Sequence, residues 1–119
     1  MAKIFILEDD EWRIKIFLKR YEGHEIALAH NYEEATHILS NSDRFDVAFL
    51  DRDLSYVQSL GGIDDELTGE DVTKFIINMP ASLRPKRFIV HSWNSVGAKR
   101  IVDMLKDQGL NVVKDPFKA

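Results

Sequence analysis

Asp46 to Leu54 reads DVAFLDRDL: an apolar run, Val47 to Leu50, that ends abruptly in two aspartates set either side of Arg52. A run this short and unalternating fits a strand buried on both faces, because a half-exposed strand would alternate and a buried helix would need more residues. Strands of that kind belong to parallel sheets covered by helices, where ligands bind outside the carboxyl ends of the strands. Asp51 and Asp53 therefore stand where the fold itself would put a site.

The rest of the chain supplies the sheet. Lys3 to Leu7 (KIFIL) is a second apolar run, stopped by Glu8, Asp9 and Asp10. Ile14, Phe17, Leu18 and Tyr21 then recur at i, i+3, i+4 and i+7, one stripe of a helix that gives out near Gly23. Glu25 to Ala29 is a short strand, and Asn31 is placed to cap a helix running to about Asn41. Thr68 and Asp71 have capping-box spacing ahead of Val72, Phe75, Ile76 and Met79, with Pro80 as the stop. Phe88 to Val90, extended to about Ser92, is the fourth strand; a helix carrying Val96, Ile101, Met104 and Leu105 follows, then Gly109 and a last strand over Asn111 to Val113. The order is β-α-β-α-β-α-β-α-β. Right-handed crossovers leave few arrangements for it, and the expected one is a three-layer α/β sandwich around a flavodoxin-like parallel sheet of order 2-1-3-4-5. The long irregular stretch Ser55 to Leu67 is of the length usually reserved for functional or mobile loops.

Composition narrows the function classes. The 119 residues are expected to form a single domain spanning 1–119, long enough to hide roughly two thirds of the unfolded chain's surface. With no cysteine there are no disulfides, thiolate metal sites or cysteine nucleophiles, which suits a reducing compartment. No apolar run approaches a membrane span, and the N-terminus meets acids too early for a secretion signal, so a soluble, cytoplasmic protein with no membrane partner is expected. The net charge of −4 disfavours nucleic-acid binding by the whole surface, though a local patch could still hold phosphate.

In a 2-1-3-4-5 sheet the first and third strands are neighbours at the switch point, so Glu8 and Asp9 meet Asp51. At about 5 Å and an effective dielectric near 20, each carboxylate pair repels by roughly 3 kcal/mol, which a cation or a raised pKa must relieve. Oxygen ligands without cysteine or a histidine pair point to Mg²⁺ or Mn²⁺; the alternative is that the acids only solvate strand ends. His91, Ser92 and Asn94 leave the fourth strand at the same end and lead into a helix whose first amides, Ser95 to Gly97, are candidate anion donors. Asn94 or Ser95 could equally be an ordinary N-cap, and His91 a satisfied core histidine. Lys99 and Arg100 read as solvated surface, and His24, His30 and His37 as loop or surface residues.

Taken together, KIFILEDDE, VAFLDRDL, TGEDV and Ser92 resemble the receiver domain of two-component response regulators. That resemblance implies Glu8 and Asp9 as an acidic Mg²⁺ pair, Asp51 as a phospho-acceptor, Ser92 as a switch hydroxyl and the Asp53 carbonyl as a further metal ligand. It also implies a histidine kinase as partner. The departures are specific. The usual strand-ending lysine followed by proline is replaced by VVKDPF, which leaves Lys114 one position early and on the other face unless a bulge corrects it. Trp93 follows Ser92 where a small residue is usual, and could wall off Asp51. The chain stops at Ala119 with no room for a final helix, and an apolar strip left there would favour pairing into a homodimer. LDRDL together with HSWNSVGAKR is similar to the cyclic-phosphate-processing receiver-like group, which marks Asp51, Asp53, His91, Ser92 and Asn94 as working residues beside Glu8 and Asp9, and a phosphorylated small molecule or nucleic-acid end as substrate. The expected phosphate contacts are Ser92, Asn94, Ser95 and Gly97 at the start of the last helix, with Lys114.

Overall fold

A computed structural model describes residues 1–54 and 67–118. The long stretch expected after the third strand therefore lies, apart from Leu67, outside the described residues. Five strands, β1 (Lys3–Leu7), β2 (Glu25–Ala29), β3 (Val47–Leu50), β4 (Arg87–Val90) and β5 (Val112–Lys114), alternate with helices α1 (Glu11–Arg20), α2 (Tyr32–Asn41), α3 (Gly69–Ile77) and α4 (Ser95–Asp107). All neighbouring strands pair parallel, in the order β2-β1-β3-β4-β5. This is the flavodoxin-like arrangement expected from the pattern of apolar runs.

Two boundaries differ from expectation. β4 begins at Arg87, whose charge disguises a strand position paired with Val47, and it ends at Val90, so His91 and Ser92 lie beyond it. β5 is shifted one residue later than the apolar pair alone suggests, because Lys114 completes the ladder opposite Val90.

The pleat divides each apolar strand between two cores. Phe5, Leu7, Ala48, Leu50, Phe88 and Val90 face α2, α3 and α4, meeting Ala35, Leu39, Val72, Ile76, Ile101 and Leu105. Ile4, Ile6 and Phe49 face the other way, onto Phe17 of α1 and Phe117 beyond β5. Each such side chain contributes about 1.5–3 kcal/mol on burial, so covering both faces is what the uninterrupted runs are for. The helices start where their caps dictate: Asp10 accepts from the amides of Trp12 and Arg13, Asn31 from Glu34, and Thr68 with Asp71 closes the capping box of α3. Among the described residues, no helix is long and apolar enough to cross a membrane.

Candidate active site at the carboxyl ends of three strands

β1, β3 and β4 end side by side, and each delivers one titratable side chain to the same point. Glu8 follows β1, Asp51 follows β3 and His91 follows β4; one ligand atom from each lies within 4.8 Å of the others. All three are buried, Glu8 completely. His91 Nε2 lies 2.8 Å from Glu8 Oε1, and the second Glu8 oxygen accepts the Asp10 amide at 3.0 Å. The imidazole is wedged edge-on against Phe17 and Phe49, and its Nδ1 is buried with no hydrogen-bond partner among the described residues.

Asp51 bears the electrostatic cost of this crowding. Burial, followed by the charge of Glu8, pushes its carboxyl up to about 6, against the pull of His91, Arg13 and the Ser92 hydroxyl. A buried carboxylate next to another acid is a group that a cation would stabilise. Two carboxylates and an imidazole on separate strand ends are a donor set that fits a divalent ion, with Glu8 and Asp51 supplying hard oxygen ligands. Asp9 is half-buried and stands outside the three-residue cluster.

The neighbouring residues build a frame around that cluster. The Asp53 side chain is half-exposed and turned sideways: its Oδ1 accepts from Arg52 at 2.9 Å and from Asn94 Nδ2 at 3.2 Å. Arg52 also reaches Glu70 at the start of α3, 3.2 Å away. Two glycines make this packing possible. A Cβ at Gly69 would fall on the Asp51 carbonyl oxygen and within 2.8 Å of Arg52 Cα, and one at Gly97 would meet Arg52 Cδ at 2.7 Å. The turn after β3 is thus clasped by the first turns of α3 and α4.

Three residues expected to contact phosphate have other surroundings in this geometry. Asn94 is the N-cap of α4, its Oδ1 accepting the Gly97 amide at 2.9 Å, so Gly97 is not a free anion donor and its missing side chain accommodates Arg52 rather than a ligand. Lys114 is exposed and shares a surface depression with Ser95, Val96, Lys99 and Val102, away from the acids. The register that pairs it with Val90 fixes it on the α4 face, as the one-residue displacement in the sequence implies. Ser95 lies in that same depression instead of in the pocket. Ser92 is buried beside Asp51, and its Oγ accepts the Asn94 amide at 3.1 Å.

Sequence reasoning missed Arg13. Its guanidinium lies 3.7 Å from Glu8 and 3.9 Å from Asp51, stacked 4.3 Å from the centre of the Trp93 ring. The Trp93 indole N–H donates to the Phe117 carbonyl at 3.0 Å, which holds the ring beneath Arg13. The available signal was a cation in the first turns of the helix that follows EDD, on a side chain long enough to reach back to the strand end.

Residues 4–107 match the family model described as the cyclic-phosphate processing receiver domain. The chain belongs to this family. The solved structures it resembles include receiver domains. The non-phosphorylated HemR receiver domain from Leptospira biflexa aligns with a TM-score of 0.69 and 20% identity over 99% of this chain and 85% of that one. The receiver domain of sensor histidine kinase PA1611 from Pseudomonas aeruginosa PAO1, which holds a magnesium ion in its active-site cleft, gives 0.66 and 18% over 98% and 87%. TrrA from Thermotoga maritima, in complex with Mg²⁺-BeF, gives 0.64 and 17% over 100% and 88%. At such identities the likeness is one of fold. No curated protein matches the chain.

Proposed function

We propose that this receiver-like protein performs Mg²⁺-dependent phosphoryl chemistry at the Glu8–Asp51–His91 pocket and opens a cyclic phosphate or a related phosphoester. The observation that supports it most is the burial of two carboxylates and an imidazole at one point, on the ends of three adjacent strands of a family member. Glu8 and Asp51 would hold Mg²⁺ or Mn²⁺, aided by Asp9 and the Asp53 carbonyl as the receiver resemblance implies. Once bound, the ion would polarise a phosphoryl oxygen.

The chain's own groups supply the rest. Asp51, buried at the end of β3, is placed to take a proton from water or to attack phosphorus directly. His91, behind Glu8 and 2% exposed, holds that carboxylate in place and is a positioning residue, while the proton Asp51 takes from water is the one passed on to the leaving ester oxygen. Asn94 orients Asp53 and closes the α4 terminus, so its part is positional. A second reading is favoured by the buried Ser92 hydroxyl beside Asp51: the same pocket would accept a phosphoryl group on Asp51 from a histidine kinase.

The test is to supply Mg²⁺ with 2′,3′-cyclic nucleotides, and separately with acetyl phosphate, and to follow product and protein mass. Opening of the cyclic phosphate that is lost in Asp51→Asn and His91→Asn is the expected result. A stable adduct lost only in Asp51→Asn would transfer the assignment to signalling. Silence in both assays would leave a receiver-like module that binds a partner without chemistry.

A further inference from the structure

Arg13 is placed unusually for a cation between two acids. One of its nitrogens stands 3.7 Å from Glu8 and 3.9 Å from Asp51, an ion pair with each and a hydrogen bond with neither. A guanidinium free to choose would close onto one carboxylate through paired hydrogen bonds. This one is held back by its stack on Trp93 at 4.3 Å, with Phe117 at 5.5 Å, and the Trp93 ring is itself anchored to the Phe117 carbonyl. The stack does not depend on the acids, because a ring face attracts the guanidinium in its own right. Trp93 remains largely exposed, so the guanidinium has a surface along which to slide outward.

We propose that Arg13 is the resident counter-cation of the acidic pocket, exchanged for the divalent ion and then presented by Trp93 to the phosphoryl group bound beside that ion. The proposal rests on the phosphoryl-chemistry reading for the identity of its ligand. Its physical basis is that a divalent ion held by Glu8 and Asp51 takes over the two charges that Arg13 now faces, and at these separations two cations repel strongly. The displaced guanidinium keeps its ring contact and gains an anion to pair with, since planar forks suit phosphoryl oxygens. Metal and phosphate would consequently bind in order, the metal first. Lysine at the same position would keep the competition with metal and lose the planar stack.

Calorimetric titration of the full chain at pH 8 tests this, using Mg²⁺ alone and then inorganic phosphate at saturating Mg²⁺. Arg13→Gln should bind Mg²⁺ about five-fold tighter than the unmodified protein and phosphate about five-fold weaker, opposite shifts that loss of folding could not produce. Arg13→Lys should bind Mg²⁺ nearly as the unmodified protein does. In a Trp12→Phe background, the emission of Trp93 should change on adding Mg²⁺ and stay constant when Arg13→Gln is added. Unchanged or weaker Mg²⁺ binding by Arg13→Gln overturns the exchange, and unchanged phosphate binding overturns the hand-over. If the unmodified protein binds no Mg²⁺ at all, the phosphoryl-chemistry reading falls with it; if it binds Mg²⁺ and Arg13 has no influence, only this inference falls.

Discussion

Asp51 is the residue on which chemistry and stability pull in opposite directions. Its carboxyl titrates at about 6 in the fold, against 3.8 when unperturbed. As pH rises from about 4 to 6 the unfolded chain gives up this proton while the fold retains it. The contribution therefore favours the fold below pH 4 and is lost as pH passes 6, an effect of about 3 kcal/mol. Glu34 and Asp46, whose carboxyls lie below their usual values, act in the contrary sense at lower pH. Comparing urea midpoints of the protein and Asp51→Asn from pH 4 to 8 without metal isolates the term: the variant should gain on the parent as pH rises. The same residue scale shows where the sequence was legible. Glu8, Asp51 and His91 could be found because strand ends at a switch point are fixed by topology. Arg13 could not, since its place depends on a long side chain and on the Trp93 ring below it.

Among the elements, α3 and α4 carry the most specific demands. Gly69→Ala must move backbone, because its methyl would fall on the Asp51 carbonyl. Gly97→Ala meets the middle of the Arg52 side chain, which has other rotamers. Urea denaturation should show a loss of about 3 kcal/mol or more for the first and about 1 kcal/mol for the second. Asn94→Asp separates two roles at the start of α4: aspartate caps as well as asparagine, but here it would set a second carboxylate against Asp53. Stability should change by less than about 1 kcal/mol, and a larger drop in turnover would show that the Asp53 orientation matters to the site. The capping signals at Asn31 and Thr68 were readable since each needs only neighbours in sequence. The edges of β4 and β5 were not, because Arg87 and Lys114 owe their strand positions to partners on other strands.

For the whole molecule, the expected response is to metal. An ion that binds only the folded state raises stability by mass action, so 10 mM Mg²⁺ against a dissociation constant of about 1 mM would add about 1.4 kcal/mol. The melting temperature should rise at pH 8, rise less at pH 5 where Asp51 holds its proton, and stay fixed in Asp51→Asn. The sheet order was legible at this scale because uninterrupted apolar strands admit few topologies. The face of Lys114 was legible as well, from its one-residue displacement, whereas the fate of Gly97 was not, as it hinges on a cap hydrogen bond.

Gly69 abuts the backbone of the turn carrying Asp51 and Arg52, and Gly97 abuts the Arg52 side chain. Whatever shifts the Asp51 backbone has to push on the opening of α3, and on that of α4 by way of the Arg52 side chain, so a chemical event in the pocket becomes a mechanical signal in those two helices. Amide deuterium uptake in the opening turns of α3 and α4 should change when the pocket is loaded, while α2, which has no such abutment, keeps its original rate.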